Sequence, residues 1–176
     1  MSNIVVYESK YGSTEKYAKW IAEELNCKAS KLSEINLEEL NNYDNIIFGG
    51  WINAGKLEGF KIIKKHKEKL KNKNLLVYAV GLADGEDPQY QAFKEKNFKE
   101  FNNIQTFYLR GARNFNILTL KDKVMVSVFK MILKRQEQEK RDENIISMMN
   151  NNSKSVDFTN KEAIQPILQV IKSSSL

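Results

Sequence analysis

The sequence predicts an open, doubly wound α/β domain in which a five-stranded parallel sheet is covered by helices on both faces. Four segments are almost continuously apolar: "NIVVYES", "NIIFGGW", "NLLVYAVGL" and "IQTFYLRG". Continuous apolar runs are typical of strands that are buried on both faces. Segments with helical periodicity lie between them, and this alternation of strand and helix indicates a sheet with helices on each side.

The first strand leads into a helix in "STEKYAKWIAEEL", where Tyr17, Ile21 and Leu25 recur at intervals of four. A weaker second strand, "CKASKL", precedes the third strand at 45–51.

Two lysine-rich segments, "FKIIKKHKEKLKNK" and "PQYQAFKEKNFKEF", are predicted as the helices before and after the fourth strand at 74–82. A last helix is expected to begin at a capping box formed by Thr159 and Glu162. Pro166 in that helix should kink it or delay its regular start.

Length and composition favour one domain, residues 1–176, with an insertion at about 111–150. A chain of 176 residues should bury roughly 70% of the surface that its unfolded form exposes. Cys27 is the only cysteine, so neither an internal disulfide nor a cysteine-based metal site is expected. Because no apolar run approaches the length of a membrane span and no leader is visible, we expect a cytoplasmic protein.

The net charge of +6 is concentrated in one region. Residues 110–141 contain nine Lys and Arg residues and three acidic residues. This stretch therefore accounts for the whole net charge, and a local excess of this kind indicates a partner.

The segment "SKYGST", Ser9 to Thr14, joins the first strand to the first helix. Ligands of doubly wound sheets bind beyond the carboxyl ends of the strands. Hydroxyl groups and free N–H groups at a helix N-terminus favour a phosphate there. The alternative is a plain turn in which Gly12 supplies the bend and Ser13 is the N-cap.

Two further loops are predicted at the same edge of the sheet, "GGWINAGKLEG" at 49–59 and "GLADGEDPQY" at 81–90. Both are rich in glycine, and they carry Trp51 and Tyr90. A phosphate site flanked by such loops suits a flat aromatic ring with a phosphorylated tail. Trp51 is predicted to stack on the ring, and the backbone of 53–55 is predicted to face its polar edge.

These segments resemble the flavodoxin-like FMN proteins, whose phosphate loop reads [ST]-x-[ST]-G-x-[ST]. Ser9, Gly12 and Thr14 match this motif, and Tyr11 stands where a hydroxyl residue is usual. The resemblance implies the strand order 2-1-3-4-5 and FMN as cofactor. The cofactor-binding residues that it implies are Ser9, Lys10, Tyr11, Gly12, Ser13, Thr14, Trp51, Ile52, Asn53, Ala54, Gly55, Gly81, Leu82, Ala83, Asp84 and Tyr90.

A flavin carries out the redox chemistry, and the protein adjusts it. We expect the turn at 53–55 to tune the potential, because its glycine allows a peptide to rotate. Asp84, Glu86 and Asp87 would lower the potential if they lie near the ring, or are solvated loop residues if they do not. No catalytic side chain or metal site is predicted: His66 lies in a lysine-rich helix, and Cys27 is interpreted as an inert thiol.

The segment between the fifth strand and the last helix contains an apolar core with basic flanks, predicted as an inserted basic helix. It carries two apolar stripes, one of Leu120, Val124, Val128 and Ile132 and one of Val126, Phe129 and Leu133. One stripe is enough for a helix that packs only on its own domain. The second could face a membrane surface, a second subunit, a porphyrin-sized substrate or a pocket beside the insertion, or the helix could simply pack across the sheet edge.

The segment "LKDKVMVSVFKMILK" resembles a helix of the menaquinone-dependent protoporphyrinogen oxidases, which are flavodoxin-like proteins with a basic helical insertion after the fifth strand. The Gly-Gly turn of that family is replaced here by "KRQEQEKRDENI". The resemblance implies oxidation of a porphyrinogen with a quinone as acceptor. Substrate or partner contacts are assigned to Arg110, Arg113 and Phe129.

Two functions remain open at the level of sequence. One is an FMN-dependent oxidoreductase of this oxidase type. The other is a one-electron carrier of the flavodoxin type that docks an acidic redox partner through its basic helix. Peripheral contact with the inner face of the membrane through 119–141 and a homodimer are further expectations, whereas nucleic-acid binding is not expected because the basic residues lack interleaved aromatic side chains.

Overall fold

The computed structural model describes residues 1–82, 88–101, 104–114, 127–128, 131 and 155–173. Five parallel strands form the main sheet: β1 (Asn3–Tyr7), β2 (Lys28–Lys31), β3 (Asn45–Asn53), β5 (Asn74–Gly81) and β6 (Gln105–Arg110). Their order is β2-β1-β3-β5-β6. The predicted five-stranded parallel sheet and its order, 2-1-3-4-5, are therefore confirmed. A short strand, β4 (Lys56–Leu57), pairs antiparallel with β3.

Helices cover both faces of the sheet. One face carries α1 (Ser13–Glu24) and α5 (Gln165–Ser173), and the other carries α2 (Phe60–Lys65), α3 (Lys67–Leu70) and α4 (Pro88–Phe98). Each face has its own apolar core, because successive residues of a strand point to opposite sides. Val5 and Ile47 thus face α1, whereas Ile4 and Val6 face the opposite helices.

The amino-terminal ends of three adjacent strands are joined by a row of asparagines. Asn3, Asn45 and Asn74 are in register on β1, β3 and β5. The Asn45 amide nitrogen donates to Asn3 Oδ1 at 2.8 Å, and the Asn74 amide nitrogen donates to Asn45 Oδ1 at 2.8 Å. Asn45 is only 1% exposed, so this row satisfies polar groups that are otherwise cut off from water.

One helix differs from the sequence-based expectation in its extent. The long helix predicted from Phe60 onward is divided at His66 into α2 and α3. Between Ile63 and Leu70, which are both buried, every residue is polar, so packing holds this segment at only two points.

The last helix has a delayed start, as predicted. A 3₁₀ turn at 161–164 precedes α5, and Pro166 lies in the first turn of α5, where a missing N–H is tolerated. The cap is Asn160, whose side chain accepts the N–H of Glu162 at 3.0 Å. The predicted cap, Thr159, bonds Asp157 instead at 2.6 Å.

A two-stranded antiparallel ribbon follows the sheet, with β7 (Ala112–Asn114) paired to β8 (Ser155–Asp157). The chain enters and leaves the segment 115–154 through this ribbon. The predicted inserted helix lies almost wholly outside the described residues. The structure describes three of its residues, Ser127, Val128 and Met131, and all three are helical. The side chains of Val128 and Met131 are 49% and 53% exposed. None of the helices within the described ranges is long and apolar enough to cross a bilayer.

Candidate functional site

A hydrogen bond between a side chain and a backbone group closes the loop between β1 and α1. Ser9 Oγ accepts the N–H of Gly12 at 3.2 Å. Gly12 is the N-cap of α1 with φ at 89°, a left-handed conformation that favours glycine. A β-carbon at this position would meet nothing within 4 Å, so the space over the loop is open.

The first turn of α1 offers backbone donors to a ligand. Gly12 has no side chain with which to cap the helix, and no side-chain cap is present among the described residues. The N–H groups of a first turn lack helical partners and carry the positive end of the helix dipole. Glu15, the acidic residue of this turn, is paired with Lys19 at 2.6 Å. The geometry is that of an anion site, as the sequence predicts for a phosphate.

Ser13 is not the N-cap of α1, because Gly12 holds that position, and the Ser13 hydroxyl bonds the ribbon. Ser13 Oγ accepts the N–H of Ala112 at 2.8 Å and donates to the carbonyl oxygen of Ala112 at 3.3 Å. The Ser13 hydroxyl is thus engaged with the backbone of Ala112 in this structure. Thr14 is 1% exposed and its carbonyl oxygen accepts the Tyr78 hydroxyl at 3.1 Å. Both residues lie inside the helix, after the cap, so an anion would meet backbone N–H groups.

Aromatic side chains stand beside this loop. The Tyr11 and Trp51 rings lie edge to face, with centroids 6.4 Å apart, and both are half-buried. Lys10 Nζ is 5.1 Å from the centroid of Tyr11 and 5.4 Å from that of Trp51. The structure thus brings Lys10, Tyr11 and Trp51 together, at the edge where an aromatic ring is predicted to bind.

The segment 49–59 is a hairpin and not the predicted loop. Trp51, Ile52 and Asn53 continue β3, and the chain turns at Ala54 and Gly55, whose φ values are 47° and 72°. Two successive positive φ angles are typical of a tight hairpin turn. The Asn53 side chain donates to Glu58 Oε1 at 2.7 Å across the turn.

Two glycines of this segment, Gly49 and Gly50, allow other residues to pack closely against β3. A β-carbon on Gly49 would lie 2.0 Å from Cζ of Tyr78, and one on Gly50 would lie 2.6 Å from the carbonyl oxygen of Glu58. Gly81 similarly leaves room for the Tyr108 hydroxyl. Gly49, Gly50 and Gly81 therefore lie in strands and not in the predicted loops, and each leaves space for a neighbouring side chain or backbone atom.

The loop after β5 is described only in part. Gly81 ends β5 and Leu82 follows it, whereas Ala83, Asp84, Glu86 and Asp87 lie outside the described residues. Tyr90 belongs to α4 and not to the predicted loop. Its ring stacks on Phe93 at 5.7 Å and meets Tyr108 at 5.0 Å, and burial raises the pKa of its phenol. Tyr90 thus packs against the core beneath α4.

Arg110 is occupied within the fold. Its guanidinium carbon lies 3.9 Å from the centroid of Phe158, and Nη2 donates to the carbonyl oxygen of Leu82 at 3.3 Å. These contacts tie the loop after β5 to the end of the ribbon. Of the other predicted substrate residues, Arg113 is described only as part of β7, and Phe129 lies outside the described residues.

Two tyrosines that sequence reasoning did not select hold α1 against the sheet. Tyr78 donates to Thr14 O, as described above, and burial raises its pKa well above the ordinary value. Tyr17 donates to the carbonyl oxygen of Arg110 at 2.7 Å and accepts the N–H of Asn160 at 3.2 Å. Only their apolar periodicity was visible in the sequence, because their polar partners are distant along the chain.

Asn97 is a further contributor that the sequence did not reveal. It lies on α4, and its side-chain nitrogen donates to the carbonyl oxygen of Gly55 at 3.1 Å while its oxygen accepts the N–H of Leu57 at 3.2 Å. The turn of the hairpin is therefore fixed from a separate helix.

The described residues provide neither a metal site nor a reactive thiol. No group of three or more His, Cys, Asp and Glu residues is close enough to hold a metal within them. Burial raises the pKa of the Cys27 thiol to about 11, consistent with an inert cysteine.

This arrangement fits FMN. Uncapped N–H groups at the start of α1 suit the phosphate, the half-buried Tyr11 and Trp51 suit an aromatic ring, and the 53–56 turn lies on the strand that carries Trp51. All three features lie at the carboxyl edge of the sheet, where ligands of such folds bind.

Structures that share similarity include a flavodoxin from the domain Archaea, 21% identical over 71% of this chain and 90% of that chain, with a TM-score of 0.41. Another is the two-electron reduced flavodoxin of Megasphaera elsdenii, 19% identical over 60% of this chain and 82% of that chain, with a TM-score of 0.45. A third is a flavoprotein in complex with FMN from Lactobacillus acidophilus NCFM, 16% identical over 62% and 91% of the two chains, with a TM-score of 0.41.

A comparison with curated protein sequences finds no match. The family model described as "Flavodoxin domain" matches residues 4–143, which is most of the chain and includes the loop at 9–14 and the hairpin. The match supports FMN as the cofactor predicted from the sequence. The chain belongs to the flavodoxin domain family.

Proposed function

We propose that the protein is an FMN-dependent oxidoreductase. The observation that carries this proposal is the closed loop at the start of α1 beside the Tyr11 and Trp51 rings, because it joins an anion site to an aromatic site at one sheet edge. Bound FMN would supply the electron-transfer chemistry, and the chain would hold and orient it.

Each part of the site has a role in holding the cofactor. The bond between Ser9 and Gly12 keeps the loop closed, so that the first N–H groups of α1 would bind the phosphate. Tyr11 and Trp51 would contact the ring and exclude water from it. The turn at Ala54 and Gly55 would present backbone groups to the ring edge, and Asn97 limits its movement.

For the substrate, we propose a porphyrinogen-type molecule, with a quinone as electron acceptor. Support comes from the resemblance of 120–134 to the protoporphyrinogen oxidases and from the place where the insertion begins. Ser13 in α1 bonds Ala112 at the start of β7, so the ribbon that flanks the segment 115–154 in sequence is bonded to the first turn of α1. Arg110 is already engaged with Phe158, which leaves Arg113 as the better candidate for a substrate carboxylate.

An anaerobic visible spectrum tests this proposal. The FMN-loaded protein is mixed with protoporphyrinogen, and the flavin absorbance is followed. Bleaching that scales with substrate supports the oxidase. A bound flavin that stays oxidised excludes it, and activity that requires lipid or detergent would favour the quinone as acceptor.

The second candidate is a one-electron carrier. The observation that favours it is an excess of lysine on the face formed by α2, α3 and α4, which is described below and which suits an acidic redox protein. A rate of electron exchange that falls with rising salt would favour this carrier. A membrane contact or homodimer through 119–141 stays a prediction, supported by the exposure of Val128 and Met131.

A further inference from the structure

The two helical faces of the domain differ in charge. We define the basic face as residues 56–73 and 88–101, which include α2, α3 and α4; it carries eleven lysines and four glutamates. The neighbouring 3₁₀ turn at 37–42 adds two further glutamates, Glu38 and Glu39. On the opposite side, α1 and residues 161–173 carry four lysines and four glutamates. Among the described helices, the excess of positive charge therefore lies on one side of the sheet.

Part of this charge is neutralised inside the fold. Lys64 pairs with Glu100 at 2.7 Å, Lys69 pairs with Glu38, and Lys73 donates to the carbonyl oxygen of Asn41 at 2.7 Å. Three further lysines, Lys61, Lys65 and Lys71, are exposed and pair with no acidic side chain in the described part of the chain. Their charges are available to a partner.

An apolar side chain lies among these free charges. Ile62 is 42% exposed on α2, next to Lys61 and one turn from Lys65. Protein interfaces combine an apolar centre with a charged, solvated rim. An exposed isoleucine within a lysine cluster fits that pattern, whereas a single apolar residue is too little for insertion into a lipid surface.

The basic face reaches the edge where FMN is proposed to bind. Lys56 lies on the hairpin itself, and Lys96 Nζ is 3.5 Å from the position that a β-carbon on Gly55 would occupy. Asn97 links α4 to the same turn. A molecule bound across α2 and α4 would therefore stand next to the hairpin.

We propose that the basic face docks an acidic redox protein, which would contact Ile62, Lys61 and Lys65 of α2 and Lys71 at the end of α3. This inference rests on the proposed redox function, since the face adjoins the proposed flavin edge. It also differs from the expectation that docking uses the basic helix at 119–141. A protein is favoured over nucleic acid because the face contains no arginine, the residue best suited to bidentate binding of phosphates.

Binding of an acidic [2Fe–2S] ferredoxin to the FMN-loaded full chain tests this proposal by isothermal titration at low and at physiological ionic strength. The test variant is Lys61→Glu with Lys65→Glu. The matched control is Lys28→Glu with Lys172→Glu, which changes the net charge equally at exposed sites away from the face. We expect the test variant to bind at least about 10-fold more weakly and the control to change less than about twofold. Ile62→Ser should weaken binding without changing its salt dependence.

Equal losses in the two charge variants would overturn the proposal, because they would show an effect of net charge alone. Binding of a DNA duplex or of anionic phosphatidylserine vesicles, but not of the ferredoxin, through the same lysines would also overturn it. The neutral pair Lys61→Gln and Lys65→Gln repeats the test if the Glu variants fail to fold. Flavin absorbance, recorded on every sample, reports the proposed FMN site separately. A chain that binds no FMN but still binds ferredoxin at this face would overturn the proposed function and leave the docking surface supported.

Discussion

The side chain of Asn97 donates a hydrogen bond to the carbonyl oxygen of Gly55 at 3.1 Å, across 42 residues of sequence. The same amide nitrogen donates to the carbonyl oxygen of Phe93 at 2.8 Å, and the amide oxygen accepts the N–H of Leu57. One side chain of α4 therefore bonds both the turn, at Gly55, and the strand that follows it, at Leu57. The turn that is proposed to face the flavin is held in place from outside its own strand.

Replacing Asn97 with alanine should loosen this turn. The change leaves a carbonyl oxygen and an N–H group of the half-buried hairpin without their partners, which costs about 1–3 kcal/mol of folding free energy. Amide hydrogen exchange at Leu57 in the FMN-free protein should accelerate. Asn97→Asp, which keeps the acceptor for Leu57 but loses the donors, should give an intermediate rate. Unchanged exchange in Asn97→Ala would show that the turn is stable on its own.

Gly49 is expected to tolerate no larger residue while Tyr78 is present. A β-carbon at this position would lie 2.0 Å from the tyrosine ring in the fully buried centre of the sheet. Gly49→Ala should lower the free energy of unfolding by about 1–3 kcal/mol or more, the usual cost of overpacking. Urea denaturation measures this loss. Adding Tyr78→Val should recover part of it relative to Tyr78→Val alone, and strictly additive losses would contradict the steric explanation.

Replacing Asn45 should lower the free energy of unfolding by an amount that depends on whether Asn3 and Asn74 are present. Asn45→Ala removes the partner of both Asn3 and Asn74, so two polar groups at the amino-terminal edge lose their bonds. We expect a loss of about 1–3 kcal/mol in thermal or urea denaturation. In the background of Asn3→Ala and Asn74→Ala the same change should cost less, since the groups that it strands are gone. An equal cost in both backgrounds would rule out coupling along the row.

Cys27 should react slowly with alkylating agents in the folded protein. Burial raises the pKa of its thiol from 9.0 to about 11. At about pH 8 the folded state then holds roughly 100-fold less thiolate than an ordinary cysteine, and the thiolate is the reactive form. Because the folded-state pKa is raised, the contribution of the neutral thiol to stability is complete below about pH 9 and declines as the pH rises toward 11. Iodoacetamide labelling should be slow in buffer and fast in urea; similar rates in both would contradict this environment.

The three central strands, β1, β3 and β5, were predictable from sequence because they are buried on both faces and therefore apolar at most positions. The hairpin after Trp51 was not, because glycine signals a turn as readily as a close contact. Only the fold shows that Tyr78 lies against Gly49 and Glu58 against Gly50. A local sequence pattern carries no information about such partners.

The same limit applies to the site and to the charge distribution. The loop from Ser9 to Gly12 was identified from its place between a strand and a helix, yet the engagement of Ser13 by Ala112 depends on a ribbon about 100 residues away. The basic face was missed because a sum along the chain outside 110–141 is neutral. The fold gathers eleven lysines and four glutamates on one side of the sheet, and the acidic residues that balance them lie elsewhere along the chain.

Titration of the FMN-free protein with FMN, followed by quenching of flavin fluorescence, tests the central claim most directly. We predict saturable binding of one FMN per chain. Gly12→Val should weaken it at least about 10-fold, because φ at 89° disfavours a β-branched residue and would displace the N–H groups of the phosphate loop. Val170→Ala on α5, away from the loop, serves as the control and should bind FMN as the parent chain does. Fluorescence that does not change with added protein, or equal affinity in Gly12→Val, would contradict the account.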